Sequence, residues 1–221
     1  SEKVTSTHPE KALGWTQRAM NSLPERHPIR EKAVQQYREI EEAVREKFYI
    51  QDWKVIGPFP QETLPEFDSR ESEFDVLSSL IQKAKNPESI QLVQRKPDGN
   101  PIIDIAELLK RPPANTCAFA QTYIYSPTDR VIHFQLGYTD GLRVWLNGEP
   151  LFSSVRSRNF RIDRNAMNVP LKEGWNQLFL KCYRTRDIEE WKFSLLPTDT
   201  NGLFIPELKF DSLYRPNANS K

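Results

Sequence analysis

Cysteine is almost missing from this chain: Cys117 and Cys182 are the two in 221 residues. That is too few for a disulfide-stapled scaffold, and the pair lacks the spacing of a metal site. Both fall in segments that read as strands. A buried free thiol is the expected state there, and a single bridge between adjacent strands is the alternative. Long apolar runs are missing too. None approaches the roughly 20 residues that span a bilayer, and no signal-peptide pattern opens the chain. Because it begins at Ser1, a processed or excised piece of a longer protein is expected. Net charge is nearly absent at +1, which excludes the basic field that nucleic-acid binding needs.

The signatures of catalysis are also missing. There is no G-x-S-x-G, no G-x-x-x-x-G-K, no H-E-x-x-H and no C-x-x-C-H. The three histidines are scattered: His8 and His27 lie in or beside a helical segment, and His133 lies on the polar side of a strand. Carboxylates are plentiful, but no pair is placed across a cleft by the pattern, so glycosidase chemistry has no support. A non-enzyme is expected.

What is present is a helical start followed by many short strands. Pro9 to Ser22 reads as one helix, closed by Leu23-Pro24, because proline cannot continue it. A second helix is expected from Ile29 to Lys47, with Ile29, Ala33, Val34, Tyr37, Ile40 and Val44 at the 3.6-residue period. Residues 1–47 thus form a helical hairpin with one apolar stripe, which must pack on something. Docking on the remainder of the chain is expected, and the last unit of a longer helical array is the alternative. Phe48 to Ile56 is aromatic and β-branched, as strands prefer, with Gly57-Pro58-Phe59-Pro60 expected to end it. Helical spacing returns over Glu71–Lys85 at Phe74, Leu77, Leu80 and Ile81. Two short strands, Ile90–Gln94 and Ile102–Ile105, flank the turn Pro97-Asp98-Gly99-Asn100, and a helical turn over Asp104–Lys110 follows.

From Cys117 to Leu196 strand follows strand. Ile132, Phe134 and Leu136 alternate with His133 and Gln135, and Leu142, Val144 and Leu146 with Arg143 and Trp145. The turns are marked by Pro127-Thr128-Asp129, Asp140-Gly141, Asn147-Gly148 and Glu173-Gly174. Asn-Gly is the strongest short-range hairpin signal, since both residues accept positive φ. The spacing predicts a mainly β fold over residues 48–221, an antiparallel jelly-roll β-sandwich behind the N-terminal helical hairpin.

Three motifs resemble a known family. Trp53-Lys54-Val55-Ile56-Gly57-Pro58-Phe59 is similar to the W-x-v-x-G-P-F opening of bacterial β-sandwich modules with a galactose-binding-like jelly roll. Gly137 to Gly148, ending in Val144-Trp145-Leu146-Asn147-Gly148, resembles their v-W-l-N-G hairpin. Val169 to Leu178 resembles the turn and strand that follow, with Asn176 expected to bond local backbone. The same hairpin logic occurs in sugar-binding domains attached to glycoside hydrolases and in PA14-type domains. The resemblance implies carbohydrate recognition by a non-catalytic accessory module of a larger extracytoplasmic, secreted or periplasmic protein. The alternative is a structural or protein-interaction domain of a multidomain protein. Expected partners are a glycan and neighbouring domains of the same polypeptide.

The ligand site is read from residues the fold does not require. Asp140 is first a turn former and second a sugar or calcium ligand. No cofactor is expected, a structural calcium ion apart. Tyr138 beside it is the preferred exposed aromatic for stacking on a sugar, ahead of Tyr123, Tyr125, Trp145 and Trp175, whose default is core packing. Ser153 to Asn165 holds four arginines against one aspartate, and arginine's planar fork suits carboxylate or sulfate. This loop is expected either to meet an acidic glycan or protein surface or to stay a solvated charged strand. The expected ligand-binding set is Tyr138, Asp140, Arg143, Arg156, Arg158 and Arg161.

Overall fold

The computed structural model describes residues 9–61, 76–84, 86–156, 158–187 and 189–215. Helices α1 (Pro9–Ser22) and α2 (Pro28–Val44) form the expected hairpin. His27 caps α2, its Nδ1 accepting the Ile29 N–H at 3.2 Å, and Pro28 follows where no N–H is needed. Ala33, Tyr37, Ile40 and Val44 are buried, and the last three cluster with Ala12 and Leu13 of α1 and with Leu196 and Phe204 of the β domain. The stripe therefore docks on the sandwich. Ile29, counted into that stripe, sits in the first turn and is exposed. Phe48 stacks on Phe204 with centroids 4.3 Å apart, and Tyr37 Oη accepts the Phe204 N–H at 2.9 Å.

Next come β1 (Trp53–Pro60), α3 (Val76–Lys83), β2 (Gln91–Arg95), β3 (Ile103–Asp104) and the short helix α4 (Ile105–Leu108). The main β run is β4 (Thr116–Ser126), β5 (Arg130–Tyr138), β6 (Gly141–Leu146), β7 (Glu149–Ser154), β8 (Asn165–Leu171), β9 (Gly174–Arg184), β10 (Lys192–Thr198) and β11 (Lys209–Phe210). They build two antiparallel sheets. The larger has seven strands in the order β2-β1-β4-β9-β6-β7, with β11 also on β4, and the smaller has the order β3-β10-β5-β8. From β4 to β11 each connection but one carries the chain from one sheet to the other. The exception is the β6–β7 hairpin, where Asn147 and Gly148 take φ of 51° and 84° as expected.

Two details differ from the expectation. Phe48 is not in a strand but closes a 3-10 turn, Arg45–Phe48, because its ring and that of Tyr49 wedge the hairpin onto the sandwich. β1 then continues through Gly57–Pro60 rather than stopping. β2 pairs with β1 only as far as Gly57, and the β4 ladder shifts register between Ile56 and Phe59. Pro58 and Pro60 thus sit where the strand has lost a neighbour, the place a ladder tolerates missing donors. The part of the predicted third helix before Val76 lies outside the described residues.

The inner faces of both sheets share one core, with Trp53, Val144 and Leu180 on one side and Phe134, Leu136 and Phe193 on the other. A second apolar cluster lies on the outer face of the large sheet. There Leu77 and Leu80 of α3 cover Ile56, Phe119, Trp145 and Phe179. Cys117 belongs to this outer cluster and Cys182 to the core, so the two thiols occupy opposite faces of one sheet, and both are free. Burial pushes Cys117 up to about 12 and Cys182 upward as well. Asn176 is fully buried. Its Oδ1 accepts from Lys172 N and Asn147 Nδ2 at 2.9 Å, and its Nδ2 donates to Lys172 O at 2.8 Å, which pins two turns together.

Candidate functional site

The structure divides the expected ligand set. Tyr138 is only 2% exposed, in the core between the sheets, so it is not the exposed aromatic expected of it. Its ring meets Phe152 edge-on, and the Arg158 guanidinium lies 4.6 Å from its centroid. Arg158 also donates to Asn165 Oδ1 at 3.2 Å and Ser154 Oγ at 3.3 Å. Asp140 is 1% exposed and is the expected turn former, with a left-handed φ of 53°. Its carboxylate accepts Thr185 N at 2.8 Å, Arg186 N at 3.3 Å and Arg186 Nε at 3.3 Å, holding the β9–β10 connection. Tyr138, Asp140 and Arg158 therefore come together, Asp140 N donating to Arg158 O at 3.0 Å, as a packed corner of the sandwich.

The remaining arginines are elsewhere. Arg156 and Arg161 are exposed on the β7–β8 connection, and Arg143 lies on the outer face of the large sheet. The single aspartate of the arginine-rich stretch, Asp163, faces the helical hairpin. It pairs with Arg45 at 2.9 Å and accepts from Tyr49 Oη at 2.6 Å. Burial, then the Asp163 carboxylate, pushes the Tyr49 phenol upward. Among the described residues, no group of three or more His, Cys, Asp or Glu is placed to hold a metal ion.

A richer arrangement of surface groups lies on the outer face of the large sheet. Beyond Phe119 the outward positions of β4 are Gln121, Tyr123 and Tyr125, and those facing them on β9 are Trp175, Gln177 and Phe179, with Lys181 following. Register sets Tyr125 opposite Trp175 and Tyr123 opposite Gln177. The C-terminal stretch completes the set. Asp211 exchanges two backbone bonds with Tyr123, and Ser212 is held by Asp52 through N–H and Oγ at 3.0 and 2.7 Å. This brings Tyr214 onto Trp175, with centroids 4.5 Å apart and planes 20° from parallel. Tyr125 meets Trp175 edge-on at 5.5 Å, and Lys209 Nζ lies 5.6 Å from the Tyr125 centroid. Tyr125 and Trp175, on paired strands, and Tyr214, in the stretch after β11, are each half-buried, so part of each residue faces solvent. Beside them Tyr123 Oη accepts from Gln121 Nε2 at 2.9 Å and Gln177 Nε2 at 3.4 Å.

Tyr123, Tyr125 and Trp175 were among the sequence's candidates for stacking, with core packing as their default and Tyr138 preferred. Tyr214 was not, because its position depends on a two-residue strand and on Asp52 far upstream. The signal that groups the others is parity. Ile124, Asn176 and Leu178 are fully buried on the inner face, which turns their neighbours outward.

On the same face, bordering the cluster that α3 covers, Arg143 and Lys181 stand opposite each other on β6 and β9. The Tyr183 ring centroid lies 6.0 Å from Arg143 Cζ and 5.1 Å from Lys181 Nζ.

No protein-family model matches the sequence, and no curated protein does. Among solved structures the chain is similar to the PA14 domain of the MpAFP antifreeze protein, at 12% identity and a TM-score of 0.33 over 46% of this chain and 55% of that one. It is similar to a β-glucosidase from Kluyveromyces marxianus at 12% identity and a TM-score of 0.38, over 66% of this chain and 16% of the enzyme. A PA14 sugar-binding domain from an RTX adhesin gives 15% identity and a TM-score of 0.33, over 48% of this chain and 63% of that domain. The chain thus spans about half of the first of these structures and about a sixth of the second.

Proposed function

We propose that this chain is a non-catalytic carbohydrate-binding module of a larger extracytoplasmic protein, holding a glycan on the outer face of its seven-stranded sheet. The observation that carries the reading is the contact set Tyr125, Trp175 and Tyr214. Three half-buried rings are fixed to one another and to paired strands, with amide, hydroxyl and ammonium groups at their rim. Apolar ring faces stack on the C–H surface of a pyranose, while Gln177 and Lys209 supply hydrogen bonds to its hydroxyls. Such a platform is pre-formed, so binding loses little rotamer freedom.

Affinity electrophoresis through gels containing a panel of soluble polysaccharides tests this. Trp175→Ala and Tyr125→Ala are each expected to weaken retardation about tenfold, the scale of one lost stacking contact. Circular dichroism confirms that the variants fold. If both variants migrate like the wild type on every retarding gel, the platform reading is wrong.

A second reading, a protein-interaction domain, is favoured by the helical hairpin, where Trp15 and Ile29 are 53% and 59% exposed. Loss of partner capture by Trp15→Ser, with glycan binding absent, would select it.

A further inference from the structure

Arg143 and Lys181 are direct cross-strand partners on the outer face of the large sheet. Like charges in that relation repel, a cost that the rest of the fold must offset. Lys181 is nevertheless 8% exposed, its Nζ 5.7 Å from the Phe119 centroid and 5.1 Å from that of Tyr183. Arg143 leans on the same Tyr183 ring, and its Nε is buried without an acceptor.

Among the described residues, the other buried charges have opposite partners. Arg95 pairs with Asp98, Arg184 with Asp187, and Asp140 with Arg186. Among the described residues, Arg143 and Lys181 form no ion pair. Ring faces attract cations, but they do not relieve the repulsion between two of them. A group that accepts from both at once would do so, and a planar or tetrahedral oxyanion has that geometry.

We propose that Arg143 and Lys181 form an oxyanion site that reads the carboxylate or sulfate group of an acidic sugar. The identity of the sugar rests on the glycan-binding reading above; the anion site rests on the pair itself. Charge recognition is thereby assigned to the sheet face and not to the exposed arginines of the β7–β8 connection.

The first measurement is the unfolding temperature in sodium sulfate against sodium chloride at matched ionic strength. Sulfate is expected to raise it more for the wild type than for Arg143→Gln/Lys181→Gln, with Lys181→Arg keeping the wild-type response. The second is gel retardation by dextran sulfate against dextran. The double variant is expected to lose about tenfold of its preference for the sulfated chain, as when a charge-assisted contact is removed. Arg156→Gln/Arg161→Gln removes the same charge elsewhere and is expected to keep the preference. An equal sulfate response in the wild type and the double variant overturns the proposal. So does an equal loss of preference in the loop variant, which would mark diffuse electrostatics. If Trp175→Ala leaves glycan binding intact while the sulfate response still needs Arg143 and Lys181, the aromatic platform fails and the anion site stands. If neutral dextran binding needs Trp175 but sulfate responds equally in all variants, the platform stands and the anion site fails.

Discussion

Asp140 combines a backbone duty with a side-chain duty. Its left-handed φ turns the chain from the small sheet into the large one, and its buried carboxylate gathers the start of the β9–β10 connection. Removing the side chain leaves the Thr185 and Arg186 N–H groups without that acceptor. Asp140→Ala is therefore expected to cost about 3 kcal/mol of stability, read as a lower urea midpoint with an unchanged slope. Asp140→Asn, which tolerates the same φ and keeps an acceptor oxygen, is expected to cost less. The turn was legible in the sequence because Asp-Gly has few other uses. The partners were not, since they lie 45 and 46 residues away and chain spacing carries no information about which loop folds over a corner. Tyr138 is a different case. Ile132, Phe134, Leu136 and Tyr138 share one parity, so its burial was available from the alternation that identified the strand.

Among the elements, strands and turns were readable while their pairing was not. The alternation of Leu142, Val144 and Leu146 locates β6, but nothing local says that β5 ends in one sheet and β6 begins in the other. Gly137 shows how a later element imposes a requirement on an earlier one. A Cβ at this position would meet Arg161 O at 2.7 Å and Ser194 Oγ at 2.5 Å, because the β7–β8 connection crosses the outer face of the small sheet there. Gly137→Val is expected to lift that connection, at a cost of about 2 kcal/mol. Amide exchange should then quicken in residues 158–165 and stay unchanged in the β6–β7 hairpin. Fast exchange spread evenly over both sheets would contradict a local clash. The outer-face rings were half legible for a similar reason: parity groups Tyr123, Tyr125 and Trp175, whereas Tyr214 is recruited by tertiary contacts alone.

The whole molecule is joined by the contact between hairpin and sandwich. Tyr37 is central to it, accepting the Phe204 N–H within a mostly apolar contact. Burial pushes its phenol from 10.0 up to about 12. A folded-state value above the unfolded one means that the neutral form is favoured by folding. Its stabilising contribution is present below pH 10 and is lost as the pH rises through about 12. The wild type is therefore expected to lose stability over that alkaline window more steeply than Tyr37→Phe, which has no proton there to release. Urea unfolding at a series of pH values reads the difference, and parallel curves would contradict it.

The alternation of strands between the two sheets also constrains how the chain reaches its fold. Strand β4 is buried along nearly its whole length, with β1 on one edge and β9 on the other. The partner on its first edge precedes it in the chain. Its second ladder runs from Ser126–Gly174 to Thr116–Arg184, closing loops of about 50 to 70 residues before any of its bonds can form. During synthesis β4 therefore presents an apolar, unpaired edge until β9 has emerged. Gln121, a polar group on the outer face of β4, interrupts that surface during the interval.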